Sequence, residues 1–218
     1  MALNKLKFNS LNVTPTAGKT IGFNSSADGL EATFSGGDMQ FIKKLTASSS
    51  STLSFVDGSS DVVLDSTYKE YLFLFKDIHP ATDGTNLGFN FSTDGGSNYN
   101  VAKTTTTFRA VHFENDSTAV LGYFDQDLAQ GTGDQRVGIG VGNDNDQSGC
   151  GYMHLFNPSS TTFVKHFIIV TNGALSSDAS INFFTAGYGN TTSAIDAIRF
   201  QMESGNIDAG TITLYGIN

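Results

Sequence analysis

Few side chains in this sequence are spaced to do chemistry together. The four histidines are His79, His112, His154 and His166, and no two stand at the i, i+2 or i, i+4 spacing that presents paired metal ligands. His112 and His166 fall in runs of strand character, where a hydrogen-bonded structural role is expected. His79 precedes Pro80 and reads as a turn residue. Cys150 is the single cysteine, with Gly149 and Gly151 beside it and Asp144 and Asp146 upstream. Carboxylates near a thiol disfavour the thiolate, so Cys150 is expected to be a buried or loop thiol without a catalytic role. The Gly-x-Ser-x-Gly nucleophile elbow is absent from the sequence. The glycines between Gly133 and Gly142 recur at period two, which is strand spacing and not a phosphate cradle. These residues lead us to expect no catalytic group.

One metal hypothesis stands. Asn143-Asp144-Asn145-Asp146-Gln147-Ser148-Gly149 sets oxygen ligands at alternate positions ahead of a glycine. Hard cations take carboxylates and carbonyls in such loops, which makes Asp144 and Asp146 candidate calcium ligands and calcium the one cofactor suggested. No acid follows at the twelfth position, so the loop is not an EF-hand, and Asx-Gly clusters also serve as ordinary turns. Asp125 and Asp127 form a second, lesser pair. Glycoside hydrolysis would need two carboxylates at a set separation, and the four Glu lie in strand or loop contexts without Trp. Tyr99, Tyr123 and Tyr188 beside Asx-rich loops could grip sugars, or rim the core.

The elements that must position these groups read as β. Of 21 acids in 218 residues, 17 are Asp, and the chain holds 24 Thr, 23 Ser, 17 Asn, 24 Gly and 18 Phe. Such a mix suits short strands joined by Gly and Asx turns. No apolar run approaches the roughly 20 residues of a membrane helix. Met1 to Thr20 is polar and Lys-dotted, unlike a secretory leader. A net charge of −9 argues against a nucleic-acid surface. A lone cysteine excludes an internal disulfide framework and accords with a reducing cytoplasm. Neither a nucleic acid nor a membrane is expected as a partner.

The charge divides unevenly. Residues 1–44 carry five Lys against three acids, while 45–218 carry seven bases against 18 acids. The first segment has short apolar pieces, among them Leu6-Lys7-Phe8, Ile21-Gly22-Phe23 and Leu30 to Phe34. They suit either the first strands of a sandwich or an extended arm or small ribbon that packs on a neighbouring subunit. Ser48-Ser49-Ser50-Ser51 reads as a linker or loop tip. We therefore expect an anchoring arm over 1–45 and a body over 46–218.

Within the body, Asp57-Gly58 between apolar pieces predicts a hairpin of 53–56 with 61–64. Tyr71 to Phe75 predicts a central strand covered on both faces. Leu87, Phe89 and Phe91 alternate with small or polar residues, as a half-buried strand does. Val137, Ile139 and Val141 alternate with glycines, leaving a bare face open to close approach. Phe163 to Val170 predicts a second deeply buried strand. Residues 197–202 and 211–215 predict a terminal hairpin, and Asp125 to Gln130 suits one helical turn. Ten to thirteen strands are expected, in an all-β, jelly-roll-like sandwich.

The runs Lys43 to Asp83, Phe89 to Tyr99 and Ile198 to Gly216 resemble small virion structural proteins of tailed, marine-type bacteriophages. Leu53-Ser54-Phe55-Val56-Asp57-Gly58, Ile78-His79-Pro80-Ala81-Thr82-Asp83 and Ser92-Thr93-Asp94-Gly95-Gly96-Ser97 carry this resemblance, as does Gly210-Thr211-Ile212-Thr213-Leu214-Tyr215-Gly216. The resemblance covers about residues 40–218. It implies a non-enzymatic virion component assembled in the host cytoplasm, foremost a capsid decoration or cement protein. Implied partners are copies of itself, as a homotrimer or another symmetric oligomer, and major capsid or tail and collar proteins. A short tail fibre or receptor-binding protein is the alternative in that class. A carbohydrate-binding module or depolymerase, taking a host surface glycan, is the rival outside it.

Overall fold

The structure is a computed structural model, and it describes residues 20–23, 26, 30–33 and 39–218. Leu6-Lys7-Phe8 and the rest of the polar, Lys-dotted stretch before Thr20 lie outside the described residues. By internal contacts the chain divides into Met1–Gln40 and Phe41–Asn218. In the first unit β1 (Thr20–Phe23) and β2 (Leu30–Thr33) pair antiparallel, Thr20 opposite Thr33 and Phe23 opposite Leu30. These are two of the expected apolar pieces, and they form a small ribbon.

The second unit is all-β. Its strands are β3 (Met39–Thr46, which begins at the unit boundary), β4 (Leu53–Val56), β5 (Glu70–Pro80), β6 (Thr85–Ser92), β7 (Lys103–Phe113) and β8 (Ala119–Tyr123). There follow β9 (Gln135–Val141), β10 (Gly149–Phe156), β11 (Lys165–Leu175), β12 (Ala179–Gly189), β13 (Ala197–Met202) and β14 (Ile207–Ile217). The pairings form one layer in the order β3-β14-β5-β10-β11-β12-β7-β8 and a second in the order β9-β6-β13-β4. The layers join where Val141 of β9 meets Leu175 of β11. The result is a sandwich closed along one side toward a barrel.

Phenylalanine holds the layers together. Phe73 and Phe75 on β5 meet Phe200 on β13 with ring centroids 5.6 and 5.3 Å apart, and Phe55 on β4 meets Phe73 at 5.4 Å. Phe89 on β6 meets Phe167 on β11 edge-on at 5.1 Å. Strands with such residues at every second position must face a second layer, because one face of each would otherwise be left in water. Each ring removes 150–250 Å² from water in typical cores, which makes this cluster the main source of stability.

Several connections differ from the sequence reading. Asp57-Gly58 does make a turn, with the Gly58 amide donating to Val62 O at 3.0 Å. The residues after it form no partner strand; Val62 and Leu64 plug the core as loop residues while β4 pairs with β13. The predicted terminal hairpin is also absent. β13 lies between β4 and β6, and β14 lies between β3 and β5, so consecutive strands enter opposite layers. Local turn chemistry does not choose between pairing back and crossing over; burial of both apolar faces does. Asp125 to Gln130 is not helical, because it is laced to β7: Phe124 N donates to Thr107 O and Thr105 N to Leu128 O. The serine tract is pinned and not a free linker, with Ser49 N and Ser50 N donating to Asp208 O and Ile207 O. This stretch and residues 41–46 go with the larger unit, five residues before the expected boundary.

β5 is central, as expected, and its Tyr71, Phe73 and Phe75 are buried. β11 starts at Lys165 and is not deeply buried on both faces: Phe167 and Ile169 enter the core, but Ile168 is 47% exposed. The bare face of β9 does admit another backbone. Ser176 N donates to Gly140 O, and a side chain at Gly142 would strike Gln147 and the Ser176 backbone.

Candidate functional site

The calcium candidates sit in the turn between β9 and β10. Asp144 and Asp146 are both exposed. The turn uses its oxygens internally: Gln147 N donates to Asp144 O at 2.9 Å, and Asn143 N donates to Asp83 Oδ1 at 3.2 Å. Among the described residues no three His, Cys, Asp or Glu side chains come together as a metal centre requires. Asp125 lies beside Gln126, and Asp127 accepts from the Tyr123 hydroxyl. The histidines stay apart, each with its own neighbour. His79 lies 3.6 Å from Asp208, His112 lies 3.0 Å from Asp116, His154 pairs with Glu70, and the His166 ring packs edgewise on Tyr188. Cys150 is on a strand and exposed, at a bulge where Asp77 N donates to its sulfur at 3.3 Å.

Two surfaces gather more. The first is the outer face of the four-stranded layer. Asp134 accepts from Asn90 at 3.0 Å, Gln201 at 2.7 Å and Arg199 at 3.4 Å. The Arg199 guanidinium lies over the Tyr99 ring at 4.6 Å. Beneath it the ammonium of Lys103, fully buried, donates to Asn90 Oδ1 at 2.6 Å and Val101 O at 2.9 Å. Burial lowers the Lys103 ammonium from 10.5 to about 8, against the opposing pull of Asp134. At the rim Glu203 binds Arg136 at 2.6 Å and Asn86 at 2.7 Å. Burial pushes the Glu203 carboxyl up, but the bonds from Arg136 and Asn86 outweigh it and hold it below its ordinary value. The donors and acceptors of this web largely answer one another, so its effect is to lock β6, β9 and β13 and the Val101–Lys103 segment together.

The second surface is the outer face of the eight-stranded layer, where two adjacent rows across the middle are largely apolar and uncharged. Registers across the sheet align one row from Thr213 through Leu74, Tyr152, Val170, Phe184 and Phe108 to Tyr123. The adjacent row runs Tyr215, Leu72, His154, Ile168, Ala186 and Thr106. Neither row contains a Lys, Arg, Asp or Glu. Phe108 and Phe184 stack at 4.6 Å, and Tyr123 is 67% exposed. The sequence reading missed this face, since it took the double-sided apolar strands as wholly buried. The available signal was that β10, β11 and β12 each carry large apolar residues on both alternations in a molecule with two layers. Of the three tyrosines considered for sugars, Tyr123 and Tyr188 stand on this face, and Tyr99 belongs to the Arg199 web.

No protein family, curated protein or solved structure matches this chain.

Proposed function

We propose that this chain is a non-enzymatic structural component of a tailed-phage virion, a capsid decoration protein that adheres through the outer face of its eight-stranded layer. The observation that carries the reading is the two-row apolar and aromatic face spanning six to seven strands, on a molecule of net charge −9. Exposed aromatic and branched side chains gathered in neighbouring rows, with no charge among them, suit an assembly contact. A rigid antiparallel sheet suits that role, because its side chains are held in fixed rows that repeat subunit after subunit. The residue runs that resemble phage structural proteins supply the setting, with major capsid protein and further copies of this chain as partners. Acidic residues elsewhere keep the particle colloidally soluble.

The short tail fibre remains the second reading, favoured by exposed Tyr123 and Tyr152, on which sugar rings can stack. Immunogold labelling of purified virions with an antibody to the full chain separates the two. Label over the head is the expected result, label at the tail tip selects the fibre, and unlabelled virions overturn both. Ile168→Lys, which places a charge in the middle of the face, is expected to abolish attachment of the purified chain to undecorated heads.

A further inference from the structure

We infer that β8 pairs antiparallel with β8 of a second copy of this chain, on a twofold axis through Leu121. The inference rests on the assembly reading above and names one contact within it. Among the described residues β8 pairs with β7 and stands at the end of its layer. Its register with β7 runs Phe108 opposite Tyr123 to His112 opposite Ala119. Phe113 N donates to Thr118 O and Phe124 N to Thr107 O. Bonding alternates along an antiparallel pair, so Thr118, Val120, Gly122 and Phe124 turn their peptide groups toward β7. Ala119, Leu121 and Tyr123 therefore turn theirs outward to the open edge.

Open edges are ordinarily blunted by charge or by shortness. The opposite end of the same layer, β3, carries Lys43 and Lys44, and the edge strand β4 is four residues long. β8, Ala-Val-Leu-Gly-Tyr, has no charge and no proline, and Val120, Leu121 and Tyr123 are 45, 77 and 67% exposed. This leaves it open to another strand by chemistry as well as by position.

The second copy is specified by the strand's symmetry. Placing the axis on Leu121 sets Leu121 against itself and Ala119 against Tyr123. All three outward-turned residues then form hydrogen-bonded pairs, in both copies. On the outer face the large Tyr123 meets the small Ala119, and on the other face Val120 meets Gly122. On either side of the Leu121 pair, large residues thus meet small ones on both faces. Within the strand itself no charge opposes a partner that carries the same net charge of −9. Glu114, Asp116, Asp125 and Asp127 flank it, so pairing strengthens as salt screens them. The contact joins two eight-stranded layers into one and extends the apolar face across both.

Sedimentation velocity on the full chain, from about 1 μM to about 500 μM, tests it. The expected result is a monomer–dimer equilibrium that tightens with added salt. Leu121→Lys, which puts two ammonium groups on the axis, weakens the dimer at least about 100-fold and leaves the melting temperature of the dilute, monomeric chain unchanged. Leu121→Ile, still apolar, retains it. Amide exchange at Ala119, Leu121 and Tyr123 slows as concentration rises. A chain monomeric throughout that range overturns the pairing. So does an oligomer that Leu121→Lys leaves intact. Neither result bears on adhesion through the sheet face, which is read separately by attachment of the Ile168→Lys variant to heads.

Discussion

The two outer faces of the sandwich contrast sharply. The face of the four-stranded layer is built from Asn90, Asp134, Arg136, Arg199, Gln201 and Glu203, and its polar atoms are bonded largely to one another. The face of the eight-stranded layer offers Tyr152, Ile168, Phe184, Phe108 and Tyr123 in register. A face whose groups satisfy each other gains little from a partner, since association would only exchange one set of bonds for another. A face of rings and branched side chains gains with every Å² it covers, about 25 cal/mol each. Stability should therefore be vested in the first face and adhesion in the second.

Breaking the polar face gives the largest effect. Asn90→Ala removes an acceptor of the buried Lys103 ammonium and is expected to destabilise the fold by about 3 kcal/mol, as loss of one partner of a buried charge does. Urea denaturation measures it, and attachment of the folded fraction to heads should be unchanged. A loss of adhesion at full stability would reverse the assignment of the two faces.

The next effect is in pH. The Lys103 ammonium titrates at about 8 when folded, against 10.5 as the ordinary value. Between those values the unfolded chain holds a proton that the folded chain has released, so stability rises with pH through that window. The rise from this one group should be on the order of 2 kcal/mol between about pH 8 and 10. Above that, Tyr71 acts in the opposite sense, because burial raises its hydroxyl and unfolding releases its proton. Lys103→Met should flatten the rise, as read from denaturant midpoints across the pH series.

At the rim the effect shrinks. Glu203→Gln is expected to cost no more than about 1 kcal/mol, since its side chain is 42% exposed and solvent screens the pair with Arg136. Its folded carboxyl lies below the ordinary 4.5, so the contribution is present above that value and is lost as pH falls through the folded one. Wild type and variant should therefore converge in acid melting curves. Smallest of all for stability is Ile168→Lys, about 0.5 kcal/mol by thermal denaturation, as is usual for an exposed site. A large destabilisation there would mean that the apolar face is already covered within the monomer.

Much of the architecture was legible in the chain. The period-two alternation of Leu87, Phe89 and Phe91, and of Val137, Ile139 and Val141, announced strands, and the Asp-rich, Glu-poor composition announced turns. Glycines on β9 announced a close approach, which the Ser176 turn makes. The polar web was not legible, because Asn90, Lys103, Asp134 and Arg199 are far apart in sequence and each has an ordinary solvated reading by itself. The apolar outer face was hidden for the opposite reason: Phe167-Ile168-Ile169-Val170 looks the same whether one or both of its faces are covered.

Local chemistry, then, decided which residues extend, where the chain turns and which side chains seek shelter from water, since these follow from backbone sterics and hydrophobicity over a few neighbours. Which strand lies beside which was decided by the tertiary structure, as β13 and β14 demonstrate by parting to opposite layers after a short turn. So was the count of layers, and with it the division of apolar strands into an inner face and an outer one. A strand's alternation specifies two sides; only the packing of all strands together determines how many of those sides find a partner.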